Sequence, residues 1–257
     1  MAVPEAAQGI TAVVVTYNPD PEQLARLCQA VQPQVEHVVL VDNGSSAETL
    51  AALQALVEGP SSALTLLALG ENRGIGAAQN AGITLARQHG SRYVLLLDHD
   101  SIPEAGMVAT LRAAIENQPA GSPPVAAAGP RYADARQTTN PSPFVQLEGF
   151  KRVRCECQHA GQLIEVEHLI ASGSLIPMAV LDAVGDMDER LFIDYVDIEW
   201  CLRAAHAGYR MLGVCDARMQ HELGDTPIRF MGKHLPDHSP LRHYYLFRNA
   251  LLLQRMP

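Results

Sequence analysis

Asp98 and Asp100 stand two positions apart at the end of an apolar run, Tyr93-Val94-Leu95-Leu96-Leu97, so both carboxylates can face the same side of a sheet edge. Two hard oxygen ligands there suit Mg²⁺ or Mn²⁺ bound together with a diphosphate, although an ordinary polar turn after a strand has the same spacing. Asp42 closes a second apolar run in Val41-Asp42-Asn43-Gly44-Ser45. A carboxylate in that place can accept hydrogen bonds from a base imide or a ribose hydroxyl, and Gly44 permits close backbone approach; the plainer reading is a turn or helix cap. Further along, Asp197 lies just off the apolar stripe Ile193, Val196, Trp200 and Ala204, near the N-terminus of a helix. A positioned carboxylate can take the proton of an attacking hydroxyl, whereas the bland account of these acids is helix solubility with a Glu199–Arg203 pair at i,i+4.

The elements that must position these residues follow from hydrophobic periodicity. Ile10 to Thr16 is a continuous β-branched run, read as a buried parallel strand stopped by Tyr17-Asn18-Pro19. In Glu22 to Val31, Leu24, Leu27, Cys28 and Val31 recur at helical spacing. His37–Val41, Leu64–Leu69 and Tyr93–Leu97 read as further strands, with helices at about Glu48–Val57 and from Gly74-Ile75-Gly76 to about His89. This alternation predicts an α/β fold with a mostly parallel central sheet flanked by helices, and ligands at the carboxyl ends of its strands. Beyond Asp100 we expect a helix near Glu104–Asn117, an apolar run to Gly129 and a polar, proline-containing mobile loop through Ser142. Strands between Phe144 and Pro177, helices at Met178–Val184 and Asp194–Ala207, a strand at Arg210–Val214 and a helix at Ser239–Leu253 complete the chain.

Composition narrows the class. The chain has 257 residues, 47% of them hydrophobic, enough for one large domain, and its net charge of -9 without a Lys/Arg-rich run argues against nucleic-acid binding. Met1 to Gly9 has neither a basic nor an apolar leader pattern, and no stretch approaches the ~18 apolar residues of a membrane span. Five scattered cysteines form no disulfide framework, so a cytoplasmic, reducing location is expected.

Taken together, Val14-Val15-Thr16-Tyr17-Asn18, Val41-Asp42-Asn43-Gly44-Ser45, Asn72-Arg73-Gly74-Ile75-Gly76 and Asp98-His99-Asp100 resemble, in order and spacing, the nucleotide-sugar half of family 2 glycosyltransferases with the GT-A fold. The resemblance extends to at least His221. It implies a donor-binding part at 1–100 and an acceptor-binding, catalytic part at 101–257, continuous as one domain. Thr16, Tyr17 and Asn18 would line the nucleotide pocket, Asp42 would read the base, and Asn72, Arg73 and Gly74 would approach sugar and ribose. Asp98 and Asp100 would hold Mg²⁺ or Mn²⁺, with His99 between them beside the donor and His221 as a third ligand, although a lone His is more often structural. Asn72 to Asn80 with Asp98-His99-Asp100-Ser101 looks most like the rhamnosyltransferase branch, which implies dTDP-L-rhamnose as donor.

In the same family an inverting reaction uses a base from a pair of adjacent acids. Here Val196 falls on the first and Asp197 on the second, leaving Asp197 as base with Asp194 in reserve. Ser172 and Gly173 resemble an acceptor-side loop, Trp200 is expected to face the acceptor, and Arg242 to reach the diphosphate as a bidentate donor. The implied acceptor is a saccharide or lipid-linked saccharide of bacterial cell-surface polysaccharide or lipopolysaccharide synthesis, which would bring the enzyme peripherally to the inner membrane face.

Other classes fit less well. Gly74-Ile75-Gly76 suggests a dinucleotide turn, but the third glycine position is Gln79 and two βα units precede it. Cys155, Cys157 and His159 have no second ligand pair for zinc and are more simply read as a strand with one face of small residues. A nucleotidyltransferase needs a glycine-rich basic loop where Tyr17-Asn18-Pro19-Asp20-Pro21 stands. A UDP-sugar-dependent enzyme of the same fold and a non-catalytic sugar-nucleotide binder stay open, the latter because of Val196.

Overall fold

A computed structural model describes residues 5–59, 64–134, 142–148, 151–221, 228–230, 233–235 and 239–255. The first half alternates β1 (Ile10–Thr16), α1 (Pro21–Val31), β2 (His37–Asp42), α2 (Ala47–Val57), β3 (Leu64–Ala68), α3 (Ile75–Gln88) and β4 (Tyr93–Asp98). Strands β3-β2-β1-β4 lie side by side and parallel, as the apolar runs require. Their continuity has a packing reason. Along β1, Val13 and Val15 point into one core with Ile83 and Trp200, whereas Ala12 and Val14 point into the other with Leu24 and Leu111. Every second residue is therefore buried on the opposite face.

The second half comprises β5 (Ser101–Pro103), α4 (Met107–Glu116), β6 (Val125–Ala133), β7 (Val145–Glu148), β8 (Lys151–Arg154), β9 (Leu163–Val166), β10 (Leu175–Pro177), α5 (Met178–Val184), α6 (Val196–His206), β11 (Arg210–His221), β12 (Ile228–Phe230), β13 (Lys233–Leu235) and α7 (Pro240–Leu253). The same sheet continues through β4-β10-β6-β11-β5, with β10 antiparallel to both neighbours, β11 parallel to β6, and β9 antiparallel to β11. The parallel character expected throughout thus belongs to the first half, and the second is mixed.

Strand β11 runs seven residues past the expected Val214. A shift of register against β6 between Val214 and Arg218 lets it bend and go on to pair His221 with Ser101 of β5. The segment read as a strand through Ile170 to Ser174 is instead a loop, and Cys155 and Cys157 lie beyond the end of β8. Most of the expected mobile loop, 135–141, is outside the described residues.

The cysteine expectation is corrected outright. Cys157 and Cys215 form a disulfide that ties the segment after β8 to β11. Their separation of 58 residues hid the pairing, because spacing in sequence carries no information about a loop and a distant strand meeting in space.

Candidate active site

The carboxyl ends of β1, β2 and β4 face the same edge, and the site is built there. Asp42 is buried and accepts hydrogen bonds from the backbone of Gly44 at 3.3 Å and Ser45 at 3.1 Å and from Thr16 Oγ1 at 3.4 Å. Gly44 has φ +85°, and a Cβ there would lie 2.4 Å from the Glu71 carbonyl carbon. Its close approach is therefore to the β3–α3 loop of its own chain.

That loop is locked by carboxamides. Asn43 Nδ2 donates to Asn72 Oδ1 at 3.1 Å, while Asn43 Oδ1 accepts from the Arg73 amide at 2.9 Å and Asn72 Oδ1 from the Gly74 amide at 3.0 Å. Asn43 was not singled out in the sequence, although its place in the Asp42 turn was the available signal. Asn18 bridges the same edge, its amide donating to Ser45 Oγ and its Oδ1 accepting from the Ser46 amide. Tyr17 and Arg73 remain exposed. Thr16, Asn18, Asp42 and Asn72 thus hold the loops of this edge together, while the Tyr17 and Arg73 side chains face solvent.

Asp98, Asp100 and His221 come together so that one ligand atom from each lies within 4.8 Å of the others. His221 Nδ1 is 3.2 Å from Asp100 Oδ1 and 2.7 Å from Ser101 Oγ. Ser101 Oγ in turn bonds Ser172 Oγ at 2.6 Å, and Ser172 Oγ accepts from the Asp98 amide at 2.9 Å. Ser172 is almost fully buried, so it braces the acids. Gly173 is also structural: its amide donates to the Leu96 carbonyl, and at φ +87° a Cβ would meet Pro130.

Burial raises the Asp98 carboxyl above its ordinary range; His221 opposes the shift and the Asp100 charge adds to it. Burial also pushes Asp100 up, but the hydrogen bond and charge of His221 outweigh it and leave Asp100 lowered. Two carboxylates and an imidazole, one acid held high by burial and by its neighbour, make a donor set that fits a divalent cation.

A cavity of about 470 Å³ opens beside this cluster, lined among others by Asp98, Ser172, Tyr195, Asp197, His221 and Arg242. Asp197 is held by the amides of Ile198 and Ala171, yet burial still raises its pKa. Val196, expected on the first acid position, is buried against the apolar core at the cavity wall. Trp200 is the clear departure from expectation: it is 2% exposed, and its Nε1 donates to the Gly185 carbonyl at 2.9 Å. Its helical position puts it on the core stripe with Ala204, and of that stripe Val196, not Trp200, reaches the cavity wall.

Arg242 reaches the cavity from α7, and its guanidinium is paired with both oxygens of Asp194 at 3.0–3.3 Å. Asp194 is therefore engaged as an anchor. Asn249, fully buried, donates to the carbonyls of Leu191, Ile193 and Asp194 at 2.8–3.0 Å, and Phe192 stacks on Tyr245. These contacts hold a turn in which Phe192, Asp194 and Tyr195 all have positive φ, directly ahead of Asp197. The Phe192 backbone packs on Gly74, whose φ of +87° and missing Cβ make room for it.

Residues 11–160 match the family described as Glycosyl transferase family 2. The chain belongs to glycosyl transferase family 2. Over 247 residues it is 35% identical to dTDP-rhamnosyl transferase RfbF of Shigella flexneri, spanning 96% of this chain and 80% of that one. It is 26% identical over 254 residues to galactofuranosyltransferase GlfT1 of Mycobacterium tuberculosis, spanning 94% and 81%. Its structure is similar to GalNAc-T7 solved with UDP, GalNAc and Mn²⁺, at a TM-score of 0.70 and 16% identity, covering 99% of this chain and 52% of that one. The glycosyltransferase therefore has the GT-A fold expected from its motifs.

Proposed function

We propose that this family 2 enzyme is an inverting rhamnosyltransferase that moves L-rhamnose from dTDP-L-rhamnose to a hydroxyl of a saccharide or lipid-linked saccharide in cell-surface polysaccharide synthesis. The observation that carries the reading is a single cavity with Asp98 and His221 of the acid–imidazole cluster and Asp197 in its wall. The choice of donor is supported by the relatedness to the Shigella dTDP-rhamnosyl transferase over nearly the whole chain.

In this reading Asp197 accepts the proton of the acceptor hydroxyl as its oxygen bonds to the anomeric carbon, and the bond from that carbon to the diphosphate oxygen breaks on the opposite side. The anomeric configuration inverts in one step. Asp98, Asp100 and His221 would hold a Mg²⁺ or Mn²⁺ ion, which when bound supplies charge stabilisation to the departing diphosphate. Residues 1–100 would then serve the donor and 101–257 the acceptor and base.

Among the described residues no helix is long and apolar enough to cross a membrane. The compartment proposed is the cytoplasm, with peripheral contact at the inner membrane face. That contact is supported by exposed Leu241, Tyr244, Phe247 and Leu251 on α7.

Calorimetric titration of dTDP and UDP, with and without Mn²⁺ or Mg²⁺, tests the proposal. Metal-dependent dTDP binding that disappears in a D98A/D100A variant is the expected result. Preference for UDP overturns the donor, and metal-independent binding overturns the role of the two aspartates.

A further inference from the structure

The cavity wall carries one polar group that the reaction above does not use. Gln79 lies on α3 four residues after Ile75, so the two side chains project from the same face of the helix, and both line the cavity. Gln79 is 3% exposed, and its Oε1 is a buried side-chain atom with no hydrogen-bond partner, the one such atom found among the described residues. Folded proteins rarely leave a buried amide group unpaired without a use for it.

The neighbouring wall explains the vacancy at that oxygen. Ile75, Ile193, Val196 and Leu246 have no side-chain donor to offer, and the Ser172, His221 and Arg242 groups of the same wall are engaged with Ser101, Asp100 and Asp194. A ligand that fills the cavity can bring a partner to this carboxamide. Beside carboxylates suited to a cation-bound diphosphate and a hydroxyl proton, that ligand is a sugar. Sugar hydroxyls both donate and accept, so one satisfies the carboxamide whichever end faces inward, and the aliphatic neighbours suit the C–H surface of a ring.

We propose that Gln79 reads a ring hydroxyl of the sugar being transferred, and so is a specificity-determining residue for the donor. The inference rests on the donor reading given above. The transferred sugar is favoured over the acceptor because α3 begins at Gly74, whose loop is locked through Asn72 and Asn43 to the Asp42 turn. Helix and nucleotide side therefore form one rigid body. The energetic logic is that of a site built to bond a hydroxyl: it penalises a donor lacking that group, because its own polar atom is again left unpaired.

The test is a cycle of enzyme and substrate changes. Gln79→Met is close to isosteric and removes both polar ends. Wild type and Q79M are compared for kcat/KM with dTDP-L-rhamnose and with dTDP-sugars lacking the 2-, 3- or 4-hydroxyl, alongside dTDP affinity and thermal melting. Wild type should lose about 10- to 100-fold on one of the deoxy donors, as expected for a buried hydrogen bond left unmade. Q79M should show a similar loss on the full donor and no further loss on that deoxy donor. Its dTDP affinity should be unchanged and its Tm equal to or above wild type, since an unpaired buried group has been removed. Wild-type kcat/KM in Q79M, retained discrimination, or weakened dTDP binding would overturn the assignment. So would a lower Tm or failure to fold, because these would make Gln79 a structural residue. If wild type rejects dTDP-L-rhamnose but uses a UDP-sugar, the donor reading fails separately, and the same cycle with that sugar's deoxy analogues decides on Gln79.

Discussion

Asp197 combines two properties that pull in opposite directions. Burial raises its carboxyl pKa, which makes it a better proton acceptor when ionised and a less comfortable anion in the folded chain. A carboxyl whose folded pKa lies above its unfolded value binds its proton more tightly when folded. Its contribution to stability is therefore full below the unfolded pKa and is lost as pH rises through the raised folded value. Asp197→Asn should accordingly raise Tm at neutral pH while lowering kcat by about 10²- to 10⁴-fold, the range of general-base contributions. In wild type the acid limb of kcat against pH should lie above the ordinary carboxylate range. Melting curves and a pH–rate profile check both outcomes, and near-normal transfer by the variant would remove Asp197 from the base role. The position of Asp197 was readable because helical spacing set it just off the apolar stripe. Trp200, on that stripe, shows the same rule applied less strictly, since periodicity already assigned it to the core.

At the scale of elements, the turn before α6 is shaped by α7. Three of the four residues Phe192–Tyr195 adopt left-handed backbone conformations although none is glycine, and such strain persists only where surrounding contacts over-determine it. Asn249 and Arg242 provide those contacts. Asn249→Ala would take the donor from the part-buried Ile193 and Asp194 carbonyls, at a cost of about 1–3 kcal/mol, and loosen the turn ahead of Asp197. We expect kcat to fall at least about tenfold with dTDP affinity unchanged. Equal losses in both would show that α7 supports the donor pocket as well. Both helices were legible from their periodicity, but their grip on each other was not, because the bonding residues are 55–58 apart in sequence. Likewise β1 to β4 were legible as continuous apolar runs, whereas the tail of β11, with exposed and buried residues alternating after Cys215, carries His221 to Ser101 without such a run.

Across the whole molecule, one sheet joins a parallel half that forms the Asp42 and Asp98 edge to a mixed half that delivers His221 and Asp197. The Cys157–Cys215 bond fastens the mixed half, closing a 58-residue span. A crosslink of that span stabilises by up to about 4 kcal/mol on chain-entropy grounds. Dithiothreitol should therefore lower Tm and raise the count of titratable thiols by two. An unchanged Tm on reduction would mean that packing alone holds this region. The clamp made by α7 also has a meaning in time. Chains are made and begin to fold from the N-terminal end, so the strands that carry Asp42 and Asp98 emerge well before the helix that seats Asp197. On the proposed reading, a chain caught during its own synthesis would have its donor side in place before its base.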